Sequence, residues 1–331
     1  MKDRKSAVFG LILSFSFLPL FLYTPIIYSD TLSLFIPILF VYLYLNIDKE
    51  KVLTKKNIIL FALAGILLFF GKEIKITSLI IFIAIIIDYL TKNFKIKKFI
   101  LVIISFTIFF VCELSFKVFI VNSNAFQFKV NDSRSIPISH WIMMGVEDID
   151  KDNSGRNSYG GYNASDYNET TKYSTNEEKV KYNINEFSSR IKKMGFIGYS
   201  NYLVHKAVNT WTDGYYFSNV ALSINPRHKN SKLYRLLLEN ESTTKMFRAL
   251  TQGVQYALII IIISGCIFKI KKKDNEQYYI QLTIVGLVIF FLLWENRSRY
   301  IFNYIPIFIL IIVEFYNNFK EKLWNKKSFK V

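Results

Sequence analysis

Eight apolar runs divide this chain: Ala7–Tyr23, Thr31–Leu45, Ile58–Phe70, Ile76–Leu90, Phe99–Val121, Val254–Ile270, Ile280–Trp294 and Tyr300–Tyr316. Several are shorter than the roughly 20 residues that an upright membrane helix needs. Flanking aromatics and lysines whose stems lie along lipid can extend them. The sequence therefore reads as an all-α polytopic membrane protein of about eight transmembrane helices, with Thr31–Leu45 and Ile58–Phe70 the weakest of them. Scarce Gly and Pro and a 52% hydrophobic composition exclude a disordered or collagen-like chain.

The net charge of +17 over 331 residues invites a nucleic-acid reading. Its distribution argues otherwise. Positive charge gathers in Lys2-Asp3-Arg4-Lys5, Asp48–Lys56, Lys92–Lys98, Lys269–Lys273 and the tail Lys320–Lys330, after every second run. That is the bias of cytoplasmic loops. It puts both termini of this multi-pass cell-membrane chain in the cytoplasm and leaves no single basic face for a nucleic acid. The segment after Met1–Lys5 lacks a small-residue cleavage site and reads as a retained first span. Cys112 and Cys266 both lie in apolar runs, so neither an outer disulfide nor a thiolate metal site is expected.

With the basic loops inside, the chain divides into residues 1–121 with five spans, an outer region 122–252, and residues 253–331 with three spans and a basic tail. In the outer region, Ser174-Thr175-Asn176-Glu177 matches a helix capping box. Val180, Ile184, Phe187, Ile191 and Met194 follow at helical spacing, and Gly195 can end that helix. Leu203, Val204, Ala207, Val208 and Trp211 form a second stripe, which Asp213-Gly214 closes. Lys232–Phe247 reads as a third helix. Asp148–Tyr173 is rich in Asn, Ser, Gly, Asp and Tyr without a period and reads as a loop.

Five polar clusters then fall on the outer side: Tyr28-Ser29-Asp30, Gly71–Lys75, His140-Trp141, Trp211–Gly214 and Glu295–Tyr300. Asp30 has two readings, a cap for the helix starting at Thr31 or a carboxylate at the lipid boundary. Lys72, Glu73 and Lys75 make either a hairpin with a local ion pair or an anion site. Glu295, Arg297 and Arg299 interrupt two apolar runs, against the inside bias for positive charge. Guanidinium groups there suit phosphate oxygens, although Trp294 and Tyr300 also fit plain interfacial anchoring. Trp211 reads as core, Asp213 as a turn residue and His140 as structural. Asp148-Ile149-Asp150 and Asp150-Lys151-Asp152 imitate a metal motif outside its usual strand-end setting and are discounted. No phosphate loop, dinucleotide fingerprint, zincin motif or nucleophile elbow occurs, so no cofactor and no metal is expected.

The pattern resembles the GT-C superfamily of polytopic glycosyltransferases, and most of all the bacterial branch related to protein mannosyltransferases (family 39). The resemblance rests on Tyr28-Ser29-Asp30 leading a span and Ile74-Lys75-Ile76-Thr77 opening another. It rests also on Glu295–Tyr300 entering a late span with Pro306, and on His140-Trp141-Ile142-Met143-Met144-Gly145 followed by Gly160-Gly161-Tyr162-Asn163. It implies transfer of a sugar from a polyprenyl-phosphate donor to an extracytoplasmic cell-envelope acceptor, within membrane lipid. Asp30 or Glu295 would take the acceptor proton, and Lys72, Lys75, Arg297, Arg299, His140, Trp141 and Asp213 would bind substrate. Arg297 is the expected phosphate ligand, with Arg299 anchoring by its stem. One departure stands out. The superfamily has a long outer loop with an acidic catalytic residue after its first span, whereas here the first outer turn is a few residues. The expectation is a chain that lacks the amino-terminal spans. Two other readings stay open: a transporter or flippase of lipid-linked saccharides, and a non-catalytic partner in envelope-polymer assembly.

Overall fold

The computed structural model describes residues 4–92, 95–122, 135–147, 159–223, 228–239, 241–272 and 278–328, and every regular element among them is helical. In chain order these are α1 (Arg4–Ser16), α2 (Leu18–Leu22), α3 (Ser29–Leu32), α4 (Ile36–Leu45), α5 (Lys55–Ile74), α6 (Leu79–Thr91), α7 (Lys97–Asn122) and α8 (Ile138–Met144). They continue with α9 (Ala164–Thr171), α10 (Asn176–Trp211), α11 (Ser218–Ser223), α12 (Lys232–Tyr234), α13 (Glu241–Lys272), α14 (Tyr278–Leu293) and α15 (Ile305–Ser328). Short 3₁₀ turns, Ile76–Ser78 and Ser298–Tyr304, lead into α6 and α15.

Among the described residues, four stretches are long and apolar enough to cross a membrane: Lys55–Ile74, Lys97–Ile120, Ser242–Ile267 and Ser298–Asn317. Ser29–Leu45, Ile76–Thr91 and Tyr278–Leu293 are apolar but shorter. The first apolar run is not one straight helix. Pro19 near the start of α2 has no N–H to continue the ladder, and Phe17 adopts an extended conformation between α1 and α2. The cluster expected as a turn at Gly71–Lys75 is mostly the last turn of α5. Lys72 suits a helix C-terminus, and the chain becomes extended only at Lys75.

The chain forms two compact units. The first comprises residues 1–106, 212–284 and 299–331, and the second residues 107–211 and 285–298. In the first unit α15 packs on α13 and α1, and α4 packs on α5 and α6. Tyr304, fully buried, donates to the carbonyl of Thr77 at 2.6 Å, and Asn303 donates to the Thr77 hydroxyl at 3.3 Å. The two 3₁₀ turns are thereby locked together, which fixes the residues beside them.

In the second unit α10 lies along α8 and α9. Its start is a capping box one residue later than the sequence suggested: Thr175 Oγ1 accepts from the Glu178 amide at 3.3 Å, and the Thr175 amide donates to the Glu178 carboxylate at 3.2 Å. Gly195 breaks α10 with φ +65° and ψ 178°, a conformation essentially reserved for glycine. Part of the segment expected as a loop, Asp148–Tyr173, is α9. Asn163 caps it by accepting from the Ser165 amide at 2.8 Å. Its Asp166 is buried against Arg190 of α10, with bonds of 2.8 and 2.6 Å, so a paired carboxylate and not an apolar stripe holds this polar helix. The discounted Asp148–Asp152 motif lies outside the described residues.

Candidate functional site

The first unit gathers three of the expected residues. Asp30, in the first turn of α3, is fully buried. It does not cap the helix, since Tyr28 holds the cap position without a side-chain bond. Its Oδ1 instead accepts from the ammonium of Lys75, which is itself 9% exposed. The Lys75 ammonium also lies 4.2 Å from the centre of the Tyr300 ring. Oδ2 of Asp30 is 3.9 Å from Nε of Arg299. Both atoms are buried and neither has a hydrogen-bond partner among the described residues.

Aromatic side chains wall Arg299. Its guanidinium lies 4.4 Å from the Tyr28 ring, 5.1 Å from Tyr300 and 5.6 Å from Phe217, and it donates to the Tyr28 hydroxyl at 3.1 Å. Cations over ring faces are held electrostatically without losing their charge. Asp213 supports this wall from behind. Its carboxylate accepts from the amides of Tyr215 at 3.0 Å and Phe217 at 2.8 Å. These bonds hold Tyr216 and Phe217 at φ +51° and +64°, a region that non-glycine residues enter only when fixed. Tyr23 completes the floor, donating to the Tyr216 carbonyl at 2.5 Å and stacking on Phe302 at 3.9 Å. Lys72 pairs with its neighbour Glu73 at 2.7 Å on the surface.

His140, Trp141, Glu295 and Arg297 belong to the second unit. His140 is fully buried, and its Nδ1 lies 2.8 Å from the Thr170 hydroxyl. That hydroxyl donates to Asn183 Oδ1 at 2.9 Å, so it accepts from Nδ1–H, and the histidine ties α8, α9 and α10. Burial pushes its pKa down to about 4, with Arg190 adding to the fall and Asp166 opposing it. Trp141, half-buried, offers its carbonyl to the Glu295 amide at 2.8 Å. Arg297 is half-buried. Glu295 is buried and acts on Lys206, a fully buried lysine of α10 that donates to the carbonyls of Gly145 and of Leu292, the latter at 3.1 Å. Burial pulls Lys206 down to about 7 and Glu295 opposes the fall.

Sequence reasoning missed Lys206, Arg190 and Asp166. Lys206 and Arg190 sit on a helix whose polar residues are read as solvated, and Asp166 sits in a segment without a period. A signal did exist for Lys206: it falls on the same stripe as Tyr202 and Thr210, both buried.

Helical architecture throughout the described residues, with four stretches there long and apolar enough to cross a membrane and charged clusters at helix ends, defines a polytopic integral membrane protein. The chain matches, over residues 1–318, the family described as conserved hypothetical integral membrane protein, and it belongs to that family. No curated protein and no solved structure gives a match.

Proposed function

We propose that this chain is a glycosyltransferase of GT-C type, moving a sugar from a polyprenyl-phosphate carrier to an acceptor hydroxyl of the cell envelope on the outer face of the cell membrane. The observation that carries this reading is the Asp30–Arg299 pair, with Lys75 on the other carboxylate oxygen. An acceptor hydroxyl between Oδ2 and Nε would give its proton to Asp30 and attack the anomeric carbon. The bond from that carbon to the carrier phosphate breaks, and its electron pair goes to the phosphate oxygen. The exposed edge of Arg299 meets the growing negative charge with forked donors. Trp141, His140 and Lys72 have no assigned step, and Asp213 positions Phe217.

The transporter reading expects charge near the middle of the spans. Asp30, Lys75 and Arg299 all lie at helix ends. Glu113 and Lys117, within α7, are an i,i+4 pair at 3.6 Å with Lys117 68% exposed. That supports a surface reaction over a translocation path. The test is sugar transfer from a polyprenyl-phosphate sugar in proteoliposomes. Asp30→Asn should lower turnover at least about a hundredfold, read on inserted protein at a temperature below the variant's own unfolding midpoint. Wild-type turnover in both Asp30→Asn and Arg299→Ala overturns the reading.

A further inference from the structure

The first unit carries a second polar feature at the other ends of the same helices. Asp30 precedes α4 and Lys75 follows α5, whereas residues 46–54 join α4 to α5 and residues 92–96 join α6 to α7. α5 has 20 residues, about 30 Å of helix at 1.5 Å each, so the two features are separated by about the thickness of a bilayer core. Between these two loops an open cavity of about 570 Å³ is lined by Lys51, Lys95 and Lys97 with Glu50, Leu53 and Ile96.

Both walls are held by buried polar groups. Asn57, fully buried, donates through Nδ2 to the carbonyls of Asp48 at 2.9 Å, Lys51 at 3.0 Å and Val52 at 2.9 Å. Its Oδ1 accepts from the Asp48 amide at 2.9 Å. Across the cavity Lys98, 5% exposed, donates to the carbonyl of Tyr89 at 2.6 Å and to that of Lys92. A carboxamide and an ammonium, each sealed inside, thus hold the chain at Asp48–Val52 and tie the start of α7 to the end of α6. The nearby carboxylate of Asp48 is committed to the amides of Glu50 and Lys51, both at 3.0 Å. Its charge acts on Lys51 as well.

We propose that this cavity binds a phosphate group, at the end of the bundle opposite Asp30. Lys51, Lys95 and Lys97 face Glu50, with Asp48 beside Lys51, so the cavity keeps a positive excess that favours an anion. The apolar side chains of Leu53 and Ile96 suit a phosphate with an apolar attachment. Basic pockets between spans bind anionic headgroups in this way, and the volume is that of a small-molecule site. The phosphate comes either from an anionic phospholipid or from a soluble phosphate ester, and the site's chemistry is the same for both.

The experiment compares the full chain with its Lys51→Gln/Lys95→Gln/Lys97→Gln variant. Native mass spectrometry after extraction from mixed phosphatidylglycerol and phosphatidylcholine reads the lipid source. Titration calorimetry with inorganic pyrophosphate reads the soluble source. Each lysine near a surface contributes about fivefold to anion affinity, so the triple variant should lose on the order of a hundredfold. Lys181→Gln/Lys192→Gln on α10 serves as the charge control and should change nothing. Selective phosphatidylglycerol retention lost in the triple variant upholds the site with a lipid source, and pyrophosphate binding lost there upholds it with a soluble one. Equal binding by the triple variant and the wild type, or no binding of either anion by the wild type, overturns it. None of these residues touches Asp30, so sugar transfer and anion binding fail independently.

Discussion

Asp30 Oδ2 and Arg299 Nε face each other at 3.9 Å, both buried and each without a hydrogen-bond partner among the described residues. The distance is too long for a direct bond, so the proposed reaction needs an acceptor oxygen to reach both atoms. Arg299→Lys keeps a charge there but has no N–H at the Nε position. Transfer should fall about a hundredfold, the usual loss for one donor aimed at the reacting atoms. Radiolabelled transfer in proteoliposomes, with protein amount matched, reads this; unchanged turnover would remove Arg299 from the reaction.

The Lys75–Asp30 pair should show strong coupling in a double-mutant cycle. Lys75 is 9% exposed and Asp30 is fully buried, so removing either partner leaves a buried charge at a cost of about 3–5 kcal/mol. Lys75→Met and Asp30→Asn should each lower the unfolding midpoint in detergent. The double variant should recover most of that loss while remaining inactive. Additive destabilisation would mean the pair contributes nothing as a pair.

Gly145 explains why the His140–Gly145 and Gly160-Gly161 segments belong together. A Cβ at Gly145 would sit 2.7 Å from the carbonyl oxygen of Leu293 and from the carbonyl carbon of Trp294. Backbone on that side cannot step aside as a side chain would. Gly160, at φ +84°, would put a Cβ 2.7 Å from the Gly145 carbonyl, and the Asn296 amide donates to the Gly160 carbonyl at 2.7 Å. Gly145→Ala should therefore destabilise the second unit by about 1–3 kcal/mol. Limited proteolysis of residues 159–211 against temperature measures it, and a wild-type profile would show that the packing relaxes.

The apolar runs were legible because lipid demands them, and a bilayer leaves little choice of fold. Run length was less legible. Pro19 splits the first run, and helix-forming Lys72 and Glu73 carry α5 through an expected turn. Asp30, Lys75 and Arg299 were visible because charge beside lipid is costly and therefore conspicuous. Which arginine meets Asp30 was not, because that depends on the 3₁₀ turn from Ser298 to Tyr304 that Thr77 anchors. The long-range pair Asp166–Arg190 leaves no mark in periodicity, and for Lys206 the stripe with Tyr202 and Thr210 marks burial but not its partner, the Gly145 carbonyl.

The basic loops predict an orientation that can be tested. Ser200, exposed on α10, and Lys51, exposed between α4 and α5, should lie on opposite sides of the membrane. With Cys112 and Cys266 replaced, a cysteine at Ser200 should react with an impermeant maleimide on intact cells, and one at Lys51 only after permeabilisation. The reverse pattern would put Asp30 inside and rule out an outer acceptor.

The second unit should lose stability in acid through His140. Its folded pKa, about 4, lies below the ordinary 6.5 because burial disfavours the charged ring. A depressed folded pKa gives stability that is complete above the unfolded value and lost as pH falls through the folded one. The loss should therefore run from pH 6.5 down to 4 and amount to roughly 3 kcal/mol. Structure supplies the reason: a second proton would go to Nε2, which is buried and has no acceptor among the described residues. Lys206 acts in the same direction at higher pH, its stability being lost as pH falls from 10.5 through about 7. The two windows do not overlap. His140→Gln keeps a donor toward Thr170 and removes the titration, so its unfolding midpoint should stay flat from pH 6.5 to 4 where the wild type declines. The alkaline window should be the same in both proteins. A wild-type acid decline that survives His140→Gln would assign it to another group, and Glu295→Gln should then be compared, since it deepens only the Lys206 window.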